Sequence, residues 1–496
     1  MRAHGCAGGG RDRDYKGRAM LVWFVVIYIA LSIAIGLAAS LRVRNSVDYI
    51  TAGRHLPLPV VFATVFATWF GAETVLGISG TFLDEGFAGL ISDPLGASLC
   101  LVLFGLFFAK PLYRQKLLTL GDFYRRRYSR GVELVTSICI ALSYLGWVSA
   151  QVVALGLVFN ILSEGAISRE YGMIIGASVV TLYTLFGGMW SVAVTTFVQM
   201  IVIVGGLLWI AFMANDMVPG GVSHVVQHAA GAGKLQWLPD FNAVEIIAFI
   251  AALLTMGFGS IPQQDVFQRA NSARTENVAV WGTVGGGLAY FLFASVPLFL
   301  AYAATLIDPT LVERVSERDP QLIIPALVYY HLPLYAQIIF YGALLSVIMS
   351  TASGTLLAPS VTIAENVLRG LLPKLSDTQF LWLTRGIVLL FAVGVTAYSL
   401  MSESTIHHMV EEAYKVTLVA AFVPLVAGIY WKRATTQGAA LAIAFGIVTW
   451  LTCEMVAADA VLPPQFAGLL ASIAGMLLGS LLPQWYRGKQ ASTVTA

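Results

Sequence analysis

Glu73 stands inside an apolar stretch, Ala67-Thr68-Trp69-Phe70-Gly71-Ala72-Glu73-Thr74-Val75-Leu76-Gly77, with a glycine on each side of it. If this stretch crosses a membrane, a carboxylate near its middle costs at least about 2.5 kcal/mol and marks a functional position. It could bind the ammonium of a solute, face a helix-end dipole, or hydrogen-bond a neighbouring helix as a strut. A second apolar stretch carries similar breakers, Gly257-Phe258-Gly259-Ser260-Ile261-Pro262-Gln263-Gln264-Asp265. Trp69 and Phe258, one in each stretch, could cover one side of a solute or simply line the core. Gln151 and Gln263 could offer amide contacts to a polar solute or bridge helices. Ser350 and Thr351 are adjacent hydroxyls in a third apolar run, and such hydroxyls commonly bond back to carbonyls four residues earlier. The sequence holds no metal-ligand cluster, phosphate-cradling glycine loop or nucleophile elbow, which argues against an enzyme.

These residues sit in a chain made for lipid. Of its 496 residues 58% are hydrophobic and 11% charged, against roughly 25% charged in a soluble domain. The net charge of +2 is too small to call for nucleic acid, and nothing points to an obligate protein partner. Cys6, Cys100, Cys139 and Cys453 are far apart, which predicts buried thiols rather than disulfides.

A spanning helix needs about 20 mostly apolar residues. Stretches of that kind lie near 20–41, 57–83, 88–112, 131–163, 170–186, 190–214, 243–268, 278–306, 334–368, 379–401, 405–430, 435–457 and 462–484, about thirteen in all. The loop after the third carries Lys110, Arg114, Lys116, Arg125, Arg126, Arg127 and Arg130, and Lys and Arg concentrate on the cytoplasmic side. Alternate counting then puts Arg42, Arg44, Arg54, Arg269 and Arg274 inside, the N-terminus outside and the C-terminus in the cytoplasm of a bacterial-type inner membrane. Residues 1–19 lack the apolar core of a signal peptide and read as a disordered tail, or as a mis-annotated start upstream of Met20, because their five Lys and Arg resist export.

In lipid, non-helical backbone survives only where it is buried in protein or lines a cavity. The two interrupted stretches open two successive groups of five spans, and since five is odd, the second group is inverted relative to the first. Paired broken helices in inverted halves point to the binding site of a secondary transporter; close helix packing by glycine is the alternative.

Three further motifs carry a resemblance. Gly187-Gly188-Met189-Trp190-Ser191-Val192-Ala193-Val194-Thr195-Thr196-Phe197-Val198-Gln199, Ser346-Val347-Ile348-Met349-Ser350-Thr351-Ala352-Ser353-Gly354, and Gly428-Ile429-Tyr430-Trp431-Lys432-Arg433 followed by Gly438-Ala439 resemble stretches of the sodium:solute symporter family. The resemblance implies an all-α polytopic membrane protein with an inverted five-plus-five repeat core and two broken helices. Its single transporter domain would cover 20–484: an extra N-terminal helix at 20–41, a first repeat at 57–214, an inverted second repeat at 243–430 and two C-terminal helices at 435–484, with a cytoplasmic tail at 485–496. It also implies Na+ as coupling ion, held by the carbonyls of Ala67, Phe70 and Val347 and the hydroxyls of Ser350 and Thr351. Two departures from the family, Trp69 in place of the proline branch's aspartate and Thr196 in place of another, leave the solute open. The expectation is sodium-coupled import of a small organic solute, an amino acid or carboxylate, contacted by Trp69, Glu73, Gln151, Phe258 and Gln263. A proton-coupled transporter of the same fold, or a membrane-embedded solute sensor, is the alternative.

Overall fold

The computed structural model describes residues 8–239, 242–402, 404–457 and 460–484, apart from the side chains of 8–19, 411 and 412. The side chains of Glu411 and Glu412 therefore lie outside the described residues, as do residues 1–7 and the tail from 485 onward. The first helix runs Gly8–Ser40, through part of the segment expected as a tail.

The described chain is all-helical apart from a single isolated parallel bridge, Leu56 to Ala273. Among the described residues ten helical runs are long and apolar enough to cross a membrane, and eleven if the bent pair Ala243–Gly259 and Gln264–Asn271 is one span. The thirteen stretches read from the sequence do not appear as thirteen separate helices, because neighbouring stretches run together. Arg169–Met217 is one run of 49 residues, about 73 Å at 1.5 Å per residue and more than twice a bilayer core. It breaks internally at Gly188, whose φ of 50° and ψ of −137° are not helical. Glu73–Arg114 is another such run, of 42 residues.

Gly188 shows why the chain needs a glycine there. A Cβ would collide with the carbonyl oxygen of Tyr49, and the backbone conformation is one that residues with side chains avoid. Gly188→Ala is expected to cost about 3 kcal/mol from strain and clash combined, seen as a lower melting midpoint of the purified protein; an unchanged midpoint would contradict this.

Each half of the core opens on a broken helix. Leu58–Trp69 ends where Phe70 leaves the helical region (φ −83°, ψ 75°), and helical backbone resumes at Ala72. Ala243–Gly259 and Gln264–Asn271 meet at 47°, around Pro262, which has no N–H to continue the ladder. The two breaks share a neighbour in Arg130–Leu162, a helix started by the Ser129 side chain accepting from Val132 N–H. Leu334–Thr362, buried along most of its length, packs against the first broken helix. Cys100, Cys139 and Cys453 form no disulfide.

Candidate functional site: two clusters at the broken helices

The interruption at Phe70 frees carbonyls that a continuous helix would use, and the hydroxyls of the Leu334–Thr362 helix meet them. Ser350 Oγ lies 2.9 Å from Ala67 O and 2.9 Å from Val347 O, and Thr351 Oγ1 lies 3.2 Å from Ala67 O. Along the same helix Ser346, Thr355, Ser360 and Thr362 all donate to the carbonyl four residues earlier. Thr351 instead reaches across 284 residues to the other repeat. Phe70, fully buried, ends the helix one turn after Phe66. Ala67, Val347, Ser350 and Thr351 thus form one neutral oxygen cluster, and Phe70 is the residue that ends the Leu58–Trp69 helix three positions after Ala67.

A second cluster begins three residues further on. Glu73 is 3% exposed, and its two carboxylate oxygens accept from Trp147 Nε1 at 3.0 Å and Gln151 Nε2 at 2.7 Å. Gln151 is oriented by its own carbonyl oxygen, which accepts from Ala72 N–H at 3.0 Å. Gly71 makes room for the carboxylate to fold back, since a Cβ there would overlap a Glu73 oxygen. Trp147, which touches the carboxylate, belongs to a cluster of three rings. Trp69 meets Trp147 edge-on at 5.2 Å and stacks on Tyr414 at 6.0 Å, and Trp147 meets Tyr414 at 5.7 Å. Among the described residues, Trp69 Nε1 and the Tyr414 hydroxyl are buried and have no hydrogen-bond partner, an arrangement that buried polar atoms normally avoid.

Of the five residues expected to contact solute, Trp69, Glu73 and Gln151 meet in this cluster. Gln263 is engaged elsewhere, donating to Ser143 Oγ at 3.0 Å and Thr417 Oγ1 at 3.3 Å; it bridges helices, one of the two roles open to it from sequence. The Phe258 ring stacks on Phe422 at 4.7 Å rather than on the rings of that cluster.

Sequence reasoning passes over Trp147 and Tyr414. Trp147 precedes Gln151 by four residues, so both share a helix face, which is a usable signal. Nothing local distinguishes Tyr414. Asp93 is passed over too, although a lone carboxylate in Leu90-Ile91-Ser92-Asp93-Pro94 is the same kind of signal as Glu73. It is 2% exposed and accepts from the Tyr290 hydroxyl, which lies 3.2 Å from Thr74 Oγ1.

Arg269 corrects the sequence reading. Counted there among the basic residues of a cytoplasmic loop, it is 1% exposed. Its guanidinium donates to Thr68 Oγ1 at 2.9 and 2.6 Å and to Asp265 O at 2.8 Å, with the Asp265 carboxylate at 3.6 Å. The Tyr144 hydroxyl hydrogen-bonds the same carboxylate. A Cβ on Gly354 would collide with Arg269 Nη2, so this clamp ties both broken helices to the helix that carries Ser350 and Thr351.

Known proteins resemble this chain in sequence and in architecture. The high affinity choline transporter 1 of Homo sapiens is 28% identical over 451 residues, covering 86% of this chain and 76% of that protein. The sodium/proline symporter of Escherichia coli (strain K12) is 27% identical over 484 residues, covering 93% of this chain and 91% of that protein. A solved Na+-coupled sialic acid symporter, in a substrate-bound outward-open state, superposes with a TM-score of 0.80 at 17% identity over 93% of this chain and 97% of that one, a likeness of fold. The sequence profile of the sodium:solute symporter family matches residues 49–446, which takes in both broken helices and the helix that bears Ser350 and Thr351. The chain belongs to the sodium:solute symporter family.

Proposed function

We propose that this protein imports a small organic cation with a quaternary or otherwise substituted ammonium group, of the kind choline represents, together with sodium. Sodium-coupled solute import follows from the family; the class of solute is our reading. The observation that carries it is a buried Glu73 carboxylate bonded to Trp147, whose ring belongs to an aromatic cluster with Trp69 and Tyr414. Aromatic faces attract a desolvated cation by about 2 kcal/mol, and quaternary ammonium recognition is their recurrent use. A carboxylate solute would meet Glu73 instead, and the buried Arg269 beneath is already held by Thr68 and Asp265. The human and bacterial relatives named for choline and proline frame the choice between a cation and an amino acid.

Sodium is a hard cation that takes oxygen ligands, and carbonyls freed by helix breaks serve this role in secondary transporters. We assign it to Ala67, Phe70, Val347, Ser350 and Thr351. Its binding would hold the first broken helix against the Leu334–Thr362 helix, leaving Glu73 and Gln151 set for the solute; release inward would follow once the Arg269 clamp opens. The basic loops favour a C-terminus in the cytoplasm of a bacterial-type plasma membrane, with one transporter domain over residues 20–484.

One charge crossing 100 mV yields about 2.3 kcal/mol, and a tenfold sodium gradient adds about 1.4 kcal/mol. With the solute's own charge the driving force is about 6 kcal/mol, enough for roughly 10⁴-fold accumulation.

The test is uptake of labelled choline, proline and a sialic acid into proteoliposomes under an imposed inward sodium gradient. Sodium-stimulated choline uptake is expected; uptake of proline or the sialic acid with no choline uptake would overturn the reading.

A further inference from the structure

Outside the Glu73 cluster, the structure forms an apolar cavity of about 750 Å³, within the roughly 300–1,000 Å³ of small-molecule sites. Leu208, Ala211 and Phe212 form one wall and Leu292, Val296 and Phe299 the other. Leu208, Phe212 and Leu292 are 49%, 62% and 70% exposed. Large apolar side chains exposed on spanning helices face hydrocarbon, so the mouth of the cavity opens sideways into the bilayer.

The rest of the enclosure gives the cavity direction. Its inner end reaches Phe82, on the Ile78–Glu85 helix that continues the first broken span beyond Glu73. The helix Gly221–Gly231 lies over the other end, turning Val225 and Ala229, each 3% exposed, into it. Trp237 closes that side, its ring stacked on Phe87 at 4.1 Å. The polar lining is sparse. Asn215 Oδ1 is taken by Val222 N–H at 2.8 Å, the Ser295 hydroxyl by Leu292 O at 2.6 Å, and the Tyr302 hydroxyl by His228 at 2.9 Å. A polar solute from water would find few unsatisfied partners here, while a hydrocarbon chain needs none and adjoins the opening.

We propose that one acyl chain of a membrane phospholipid enters between Phe212 and Leu292, fills this cavity and rests against Phe82. The occupied cavity then buries apolar wall that would otherwise be bare, and it places a lipid tail in contact with the half of the first broken helix that must move when the solute site opens and closes. The inference does not depend on which solute is carried.

Trp237 supplies the reporter. The full-length protein is placed in nanodiscs of phosphatidylcholine brominated in mid-chain, and tryptophan quenching is compared between wild type and Trp237→Phe. A component of quenching that is present in wild type and lost in Trp237→Phe is expected, and that component is lost again in Ala211→Phe, which fills the cavity. Ala229→Leu, filling it from the covering helix, serves the same purpose should Ala211→Phe not fold, as judged by its melting transition. Quenching of Trp237 by aqueous iodide but not by brominated tails would show a water-filled space and overturn the proposal. Tail quenching that survives a folded cavity-filling variant would place the lipid on the outer surface only and overturn it equally.

Discussion

Replacing Ser350 and Thr351 together by alanine is expected to abolish sodium-stimulated uptake. Each hydroxyl touches Ala67 O of the opposite repeat, so the double change removes both side-chain oxygens from the assigned cage and leaves carbonyls alone. Contacts to a charged group contribute about 1.5–3 kcal/mol each, so the loss of two predicts at least roughly a 100-fold rise in the sodium concentration needed for half-maximal uptake. The measurement is initial uptake rate against sodium concentration in proteoliposomes. Solute protection against thermal unfolding at saturating sodium serves as a check that the variant is folded. Undiminished sodium stimulation in the double variant would remove the assignment, whereas a simple packing role for the two hydroxyls predicts a lower melting point with the sodium dependence intact.

Glu73→Gln is expected to act on the other ligand. The amide keeps the shape of the carboxylate and can still accept from Trp147 Nε1, yet it removes the charge that an ammonium would meet. In a dry site an unpaired cation is costly, and breaking one side of a buried charge pair costs about 3–5 kcal/mol. The apparent affinity for a quaternary ammonium should fall at least roughly 100-fold, with the sodium concentration for half-maximal stimulation changed far less. Competition uptake at fixed sodium, followed by a sodium titration at saturating solute, separates the two. Because Gln151 donates to Glu73 while accepting from Ala72 N–H, the new amide forces Gln151 to turn or the backbone to yield, so the sodium titration also reports whether the broken helix has shifted. An equal loss in both titrations would make Glu73 a strut of the broken helix rather than a solute contact.

How much of this is legible from residues alone depends on what each residue must avoid. A carboxylate in an apolar run cannot hide, so Glu73 stands out from the sequence by itself, and Asp93 carries the same signal. The broken helices are visible because glycine and proline leave a local mark at Gly71 and Pro262. The two rings that complete the cluster are not, since tryptophan and tyrosine in a spanning helix serve as core far more often than as site. Their role depends on rotation about the helix axis and on which helix lies opposite. Trp147 and Phe258 are equally apolar in sequence, yet one ring faces Glu73 and the other stacks on Phe422. Arg269 misleads because loop arginines and buried clamps look alike until Thr68, 201 residues away in sequence, is brought beside it. Thirteen apolar stretches and ten long helical runs among the described residues differ because hydropathy marks apolar length and not continuity: 170–186 and 190–214 run together across Gly188, 88–112 continues the run that begins at Glu73, and 243–268 is bent into two helices.

The oxygen cluster at Ala67, Val347, Ser350 and Thr351 is uncharged, while the proposed solute cluster holds the carboxyl group of Glu73, and on the proposed assignments this difference would divide the electrical work of the cycle. A sodium ion in a neutral cage would cross with its full charge, and an ammonium paired with an ionised Glu73 would cross as a neutral couple. The loaded carrier would then move one positive charge inward, and an empty carrier with a bare carboxylate would carry one negative charge outward. Membrane voltage would pull on both legs of such a cycle, so hyperpolarisation would speed the return as well as the entry.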